Sequence, residues 1–297
     1  MGIPLNVDVA ASISKLKDAL KDFELRLKLY RILFQGKGLD FEGYRTYTQA
    51  DDASLIDWKS SMRSNKTLVK EYKEEQDIKI VFAVDVGEHM LTGSSNKLKA
   101  EYVTEVVAAL MHLVMDTGDR VGLITYSSDV TNYIPPKRGN NHFNSMIDVL
   151  SDSNTYGKGS NFKNVLNFIN NYLDSSVKAI ILVSDFIRMR KDVMENMQVL
   201  STRFETLAMM IKDPIDRTLP DVSGEVIFED PMTGNQLLVN PRIAAKAYER
   251  NALIQEQNVL HLFKESNVDV VNIPTDQDFA PTLGEFIKER VRKRKFL

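Results

Sequence analysis

The chain has 297 residues with 38 basic against 41 acidic side chains, a formal net charge of −3, so it lacks the basic excess of a dedicated nucleic-acid binder. Hydrophobic residues make up 43% and charged residues 27%, a balance that allows a large core with no metal or disulfide to hold it. There is no cysteine, which excludes disulfide frameworks, thiolate zinc sites and cysteine nucleophiles and suits a reducing, cytoplasmic setting.

The opening MGIPLNVDVAASISK has no basic stretch leading into an apolar one, so no signal peptide is expected. The most apolar runs, IVFAVDV and VVAALMHLVM, are shorter than the ~20 residues that span a bilayer, and membrane insertion is not expected. The first expected element is a helix over residues 12–34. Ile13, Leu16, Leu20, Phe23, Leu27, Tyr30 and Phe34 recur at spacings of three and four and form one apolar stripe. That stripe either docks on the chain's own body or pairs with a second copy or a partner as a coiled coil. Residues 36–77 read as turns and short extended pieces.

From Ile78 onward strands and helices alternate. IKIVFAVDV is a buried strand by its nearly continuous β-branched and apolar character. Residues 97–115 form a helix with Leu98, Tyr102, Val106, Leu110 and Leu113 on its buried face. DRVGLITYS is a second strand, and VTNYIPP an edge strand closed by two prolines. Helices follow over 141–150 and 161–173, then the strand KAIILVSD, a helix over 193–202 and the strand ETLAMMI. Residues 213–240 interrupt the alternation with three prolines and two glycines, and GEVIFED and NQLLVN flank the turn PMTG as a β-hairpin. Asn240 is expected to cap a helix that has Pro241 in its first position and runs to residue 264. The strand VDVVNI and a helix carrying Leu283, Phe286, Ile287 and Val291 end the chain, and the closing RVRKRKF reads as a solvated helix end. Parallel strands need helical crossovers, so the fold class is α/β. It is a doubly wound, mostly parallel sheet flanked by helices, with an N-terminal helix and an extended β-rich segment.

In open α/β sheets ligands bind beyond the carboxyl ends of the strands. Asp85 follows the first buried strand and Asp185 follows KAIILVS. Two carboxylates meeting at one rim raise each other's proton affinity unless a cation or donors intervene, which makes room for a hard divalent ion. The alternative is that each Asp caps the turn after its own strand. Common catalytic templates are missing. There is no G-x-S-x-G elbow, no G-x-G-x-x-G after the first strand, and YGKGS lacks phosphate-loop spacing. The four histidines, His89, His112, His142 and His261, have no metal-ligand spacing; His112 and His261 sit in apolar helical patterns and read as structural.

Two resemblances add to this reading. DVGEHM at the first strand end, GKGSNF and SDF resemble the metal-ion-dependent adhesion site of von Willebrand A domains. Carried over residue by residue, Asp85, Ser160 and Asp185 match, whereas Gly87 and His89 stand where two metal-binding serines are usual. The imidazole of His89 suits zinc or nickel better than magnesium. The resemblance therefore implies a degenerate site at Asp85, Ser160, Asp185 and His89, with magnesium or manganese disfavoured by the lost hydroxyls. The second likeness lies in FEGYRTYTQADDASLIDWKSSMRSNKTLVKEY. Tyr44, Arg45, Tyr47, Asp51, Asp52, Ile56, Asp57, Trp58 and Arg63 resemble the signature of the domain-of-unknown-function 58 family. Ala50 departs from the glycine usual before the acidic pair, and Ser54 and Leu55 from an arginine-containing stretch. On one reading Trp58 buries its ring while Arg45 or Arg63 pairs with Asp51, Asp52 or Asp57. On the other these groups form a recognition surface.

The resulting division is residues 1–76, an N-terminal helix plus signature segment, and 77–297, a von Willebrand A-like domain with an inserted hairpin over 222–240. What the resemblance implies is a non-enzymatic, cytoplasmic protein-binding adaptor that partners a MoxR-type ATPase of the AAA+ class in assembly or maturation of target proteins. The rival readings are a metal-dependent enzyme using Asp85, His89 and Asp185, and a structural subunit assembling through the helix over 12–34.

Overall fold

The protein is described here by a computed structural model that covers residues 4–20, 39–48, 56–64, 66–74, 78–230 and 233–294. Its frame is a six-stranded sheet of β3 (Lys79–Asp85), β4 (Arg120–Tyr126), β5 (Val130–Lys137), β6 (Val177–Ser184), β7 (Glu205–Lys212) and β10 (Asp269–Pro274). The strand order is β10-β7-β6-β3-β4-β5, and every pairing is parallel except β4 with β5. The α/β class and the mostly parallel sheet flanked by helices are thus as the sequence implies. β5 lies at the edge with its side chains alternately half-buried and exposed, so Pro135 and Pro136 sit where a missing N–H does least harm.

Helices cover both faces because the central strands are apolar on both. Ile80, Phe82 and Val84 of β3 pack into one core, and Val81 and Ala83 into the other. The first core takes side chains from α1 (Val9–Ala19), α3 (Lys99–Asp116), α4 (Asn140–Ser151) and α8 (Phe279–Arg294). The second takes them from α5 (Phe162–Tyr172), α6 (Met194–Arg203) and α7 (Pro241–Glu265).

Helix α1 starts earlier than its apolar stripe suggested. Asp8 caps it by accepting from Ala11 N at 2.9 Å, while the Asp8 N–H donates to Glu105 on α3 at 2.6 Å. Leu16 and Leu20 are fully buried in the first core, against α3 and α8. Over the described residues the stripe therefore docks on the chain's own body. The part of the expected helix beyond residue 20 lies outside the described residues.

A second unit consists of β1 (Leu39–Thr46) paired antiparallel with β2 (Leu68–Glu74), with α2 (Trp58–Ser64) between them. Asp57 starts α2 by accepting from Ser60 N at 3.0 Å, and its other oxygen accepts from the Tyr44 hydroxyl at 3.1 Å. Trp58 does not bury its ring as the structural reading expected; it opens α2 and is 66% exposed.

The interruption between β7 and α7 contains the expected hairpin, β8 (Val226–Glu229) paired antiparallel with β9 (Gln236–Val239). Asn240 occupies the cap position of α7 and Pro241 its first turn, but the Asn240 side chain makes no capping bond; its carbonyl accepts from Ile243 and Ala244 instead. His261 is exposed and paired with Glu265 at 3.1 Å, not held in a core. Arg290, the first residue of the basic run, is buried and paired with Glu205 and Asp269, so that position is not a solvated one.

Because Leu16 has no space to retreat into, Leu16→Ala is expected to destabilise the protein by about 2–5 kcal/mol. Urea unfolding checks this: the midpoint should fall with the slope unchanged.

Candidate functional site

β3 and β6 are parallel neighbours, so Asp85 at the end of β3 and Asp185 just past β6 come to the same rim. Both are almost fully buried, 1% and 2% exposed. Each also caps its own turn, as the alternative reading held: Gly87 N donates to Asp85 Oδ1 at 2.9 Å, and Ile187 N donates to Asp185 Oδ1 at 3.0 Å.

The loop carrying Ser160 is laid against this rim by the backbone. Gly157 N donates to Val86 O at 2.9 Å, Glu88 N to Gly157 O at 2.8 Å, and Asn161 N to Ser127 O at 2.8 Å. Gly159 takes φ +85°, a left-handed conformation that glycine accepts at little cost. The Ser160 hydroxyl then donates to Asp85 Oδ2 at 3.2 Å, and the Ser184 hydroxyl donates to the same oxygen at 2.7 Å.

His89 lies on the single helical turn Glu88–Leu91, with its Nε2 3.4 Å from Asp85 Oδ2 and 3.7 Å from Asp185 Oδ2. Burial alone would lower its pKa, but the hydrogen bond to Asp85 and the charge of Asp185 outweigh that and hold it above the usual value. The four residues expected at the site are therefore brought together.

The sequence reading missed the strongest charge at the rim. Lys99, the first residue of α3, is 2% exposed and donates from Nζ to Asp185 Oδ2 at 2.8 Å and to Asp216 Oδ1 at 3.2 Å. Burial disfavours its charge, yet the two carboxylates raise its pKa to about 12. Asp185 responds in the opposite sense: burial pushes its carboxyl up, and Lys99, then His89, overcome this and bring it to about 2. Asp216 stays above its ordinary value because burial and the charge of Asp185 oppose the pull of Lys99. Behind it Asp213 joins three loops by accepting from the Ser94 hydroxyl, Ile215 N and the Thr275 hydroxyl. One signal for Lys99 was available: a cation in the first turn of a helix opposes the helix dipole and needs an anion to hold it.

The residues present do not suit a hard divalent cation. Magnesium, manganese and calcium take oxygen ligands at roughly 2.0–2.6 Å, whereas all four carboxylate oxygens of Asp85 and Asp185 already face donors of the chain. Gly87 offers no hydroxyl, and no group of three or more His, Asp or Glu among the described residues is arranged to hold a metal ion.

The signature residues stand apart from this cluster. Arg45 and Tyr47 lie in and just after β1, Asp57 and Trp58 at the start of α2, and Arg63 near its end. None takes part in the rim bonds above. Asp51 and Asp52 lie outside the described residues.

An apolar face adjoins the rim. Arg188, three residues after Asp185, forks onto Asp230 at the end of the β8–β9 hairpin at 2.9 and 3.0 Å, and Gln255 of α7 donates to the carbonyls of Phe186 and Ile187. Between hairpin and helix runs a groove of ≈ 740 Å³ lined by Ile215, Phe228, Leu237, Val239, Ala244 and Tyr248. On the hairpin's other face Ile227 and Leu238 are cross-strand partners, 62% and 58% exposed.

Residues 43–258 match the family described as "Protein of unknown function DUF58". The uncharacterized protein Rv1480 of Mycobacterium tuberculosis is 21% identical over 299 residues, covering 94% of this chain and 90% of its own. The solved structure of BatB from Bacteroides thetaiotaomicron superposes with a TM-score of 0.47 at 14% identity, over 72% of this chain and 99% of that one. The von Willebrand A domain of SpRpn10 gives 0.44 at 13% identity, over 69% and 93%. Among the described residues no helix is long and apolar enough to cross a membrane.

Lys99→Met leaves Asp185 and Asp216 buried without their cation and is expected to cost about 3–5 kcal/mol at neutral pH. Thermal unfolding measures the loss. Asp185 sets an acid dependence of its own. Its folded pKa of about 2 lies below the ~3.9 of an unfolded aspartate, so its contribution is complete above pH ~4 and fades as pH falls through 2. That contribution is on the order of 2 kcal/mol, and the acid slope of stability should flatten in Asp185→Asn.

Proposed function

We propose that this chain, which belongs to the DUF58 family, is a non-enzymatic protein-binding adaptor of the cytoplasm that partners a MoxR-type AAA+ ATPase. The observation that carries this reading is the apolar face of the hairpin and α7, next to the sheet rim. Ile227, Leu237 and Leu238 on the hairpin and Ile243, Leu253 and Ile254 on α7 are exposed. Apolar patches of this kind on a soluble protein mark sites of interaction. A two-stranded hairpin is marginal alone, and here Arg188 Nη2, on the loop after β6, ties it to the rim by donating to both oxygens of Asp230.

The rim itself offers little for catalysis. Its carboxylates are buried and bonded to protein donors, and no described group stands free as nucleophile beside a base. Its role in this reading is to hold the loops after β3, β6 and β7 in one arrangement, on which the hairpin and α7 rest. Trp58 and Arg63, exposed on α2, add a second recognition surface of residue types frequent at interface centres.

Capture of the MoxR-type ATPase encoded in the same genome tests the reading. The double variant Ile227→Ser with Leu238→Ser should reduce affinity at least ~10-fold, a loss of about 1.4 kcal/mol, with an unchanged melting temperature. Equal capture by variant and parent would remove the hairpin from the interface. No capture by the parent would remove this partner.

A further inference from the structure

We propose that the paired carboxylates of the rim are served by a cation built from the chain itself: the Lys99 ammonium and the His89 imidazole stand in for a divalent metal, and the rim is assembled without one. The inference concerns the protein alone and does not depend on the partner proposed above.

Three observations lead to it. The first is saturation. Asp185 Oδ2 receives Lys99 Nζ at 2.8 Å, and Asp85 Oδ2 receives the hydroxyls of Ser184 and Ser160 at 2.7 and 3.2 Å. The remaining oxygens accept from backbone N–H groups at 2.9 and 3.0 Å. The second is position. His89 Nε2 lies 3.4 Å from one carboxylate and 3.7 Å from the other, within reach of both at once. The third is steric. A β-carbon on Gly87 would come within 2.5 Å of His89 Cε1 and Nδ1 and 2.8 Å of Gly159 O. The imidazole thus fills the volume that a side chain at position 87 needs.

The two departures at positions 87 and 89 are therefore one change. A serine at 87 is excluded while the ring is present, and the ring reaches both carboxylates only because 87 is glycine. Lys99 supplies the permanent positive charge that a short-chain hydroxyl set lacks. An ion entering this rim would have to displace an ammonium held by two carboxylates and a ring held by two more contacts.

Two measurements on the whole chain test this. Titration of the parent protein with manganese, followed by the electron paramagnetic resonance of free ion, should show no stoichiometric site at millimolar concentration. The melting temperature should not move between excess chelator and excess manganese. A saturable one-to-one site, or a chelator-sensitive melting temperature, would overturn the proposal. The second measurement is a double-mutant cycle on stability. Gly87→Ser should cost clearly less in a His89→Ser background, where only the Gly159 carbonyl crowds the new side chain, than in the parent, where the ring crowds it too. An equal cost in both backgrounds would show that the ring adds nothing to the exclusion already imposed by the Gly159 carbonyl, and the proposal fails. Adding Lys99→Met to the two serines should produce a manganese site that the parent lacks. If the triple variant is too unstable to titrate, the parent titration and the two-residue cycle decide the matter.

Discussion

Two carboxylates end neighbouring strands of a parallel sheet, and both are buried. Bringing such groups together out of water carries a large desolvation penalty that only a cation and well-aimed donors can offset. The chain meets that constraint from inside, with an ammonium on the first residue of α3. Lys99 lies between Asp185, just after β6, and Asp216, after β7, so one side chain ties the ends of two strands to the helix that follows a third. Removing it does more than lose a contact, because it leaves the nearly fully buried Asp185 without the cation that holds its charge.

The same charges organise what surrounds them. Asp213, directly after Lys212 on the chain's path to Asp216, takes donors from the loop after β3 and from the segment after β10. Buried Lys212 is a second cation beside Asp185 and Asp216, and burial lowers its pKa. A network of this kind specifies one arrangement of loops more than it adds net stability, since well-packed apolar residues of equal volume often serve stability as well.

The sheet was legible because its strands are apolar on both faces, a pattern that only helix-covered parallel strands satisfy, and its edge strand announced itself by two prolines. The meeting of Asp85 and Asp185 was legible for the same reason: adjacent parallel strands end at one rim. Lys99 was legible only in part: a cation in the first turn of a helix calls for an anion, but its partner Asp216 lies 117 residues away in the chain. The ring of Trp58 went the other way. Aromatic bulk argued for burial, but the first turn of α2 leaves the ring on its exposed side. The sense of Gly87 also escaped a reading by motif, which recorded a lost serine; only coordinates show that the His89 ring occupies the place of its side chain.

In the adaptor reading proposed above, these features assign recognition to the outside of the rim. Charges committed to one another inside the rim cannot also be offered to a partner without breaking the arrangement that positions them. What is left for an incoming surface is the outer shell: a hairpin with apolar side chains on both of its faces and a long helix with isoleucine and leucine turned to solvent. Arg188 and Gln255 bind that shell to the loop that carries Asp185. Any displacement of hairpin or α7 therefore strains the backbone next to the buried carboxylate, and Lys99 resists it because moving away from Asp185 leaves both charges uncompensated. In the binding role proposed above, the buried ion pairs would act at one remove, through the loop that Arg188 and Gln255 tie to the hairpin and α7.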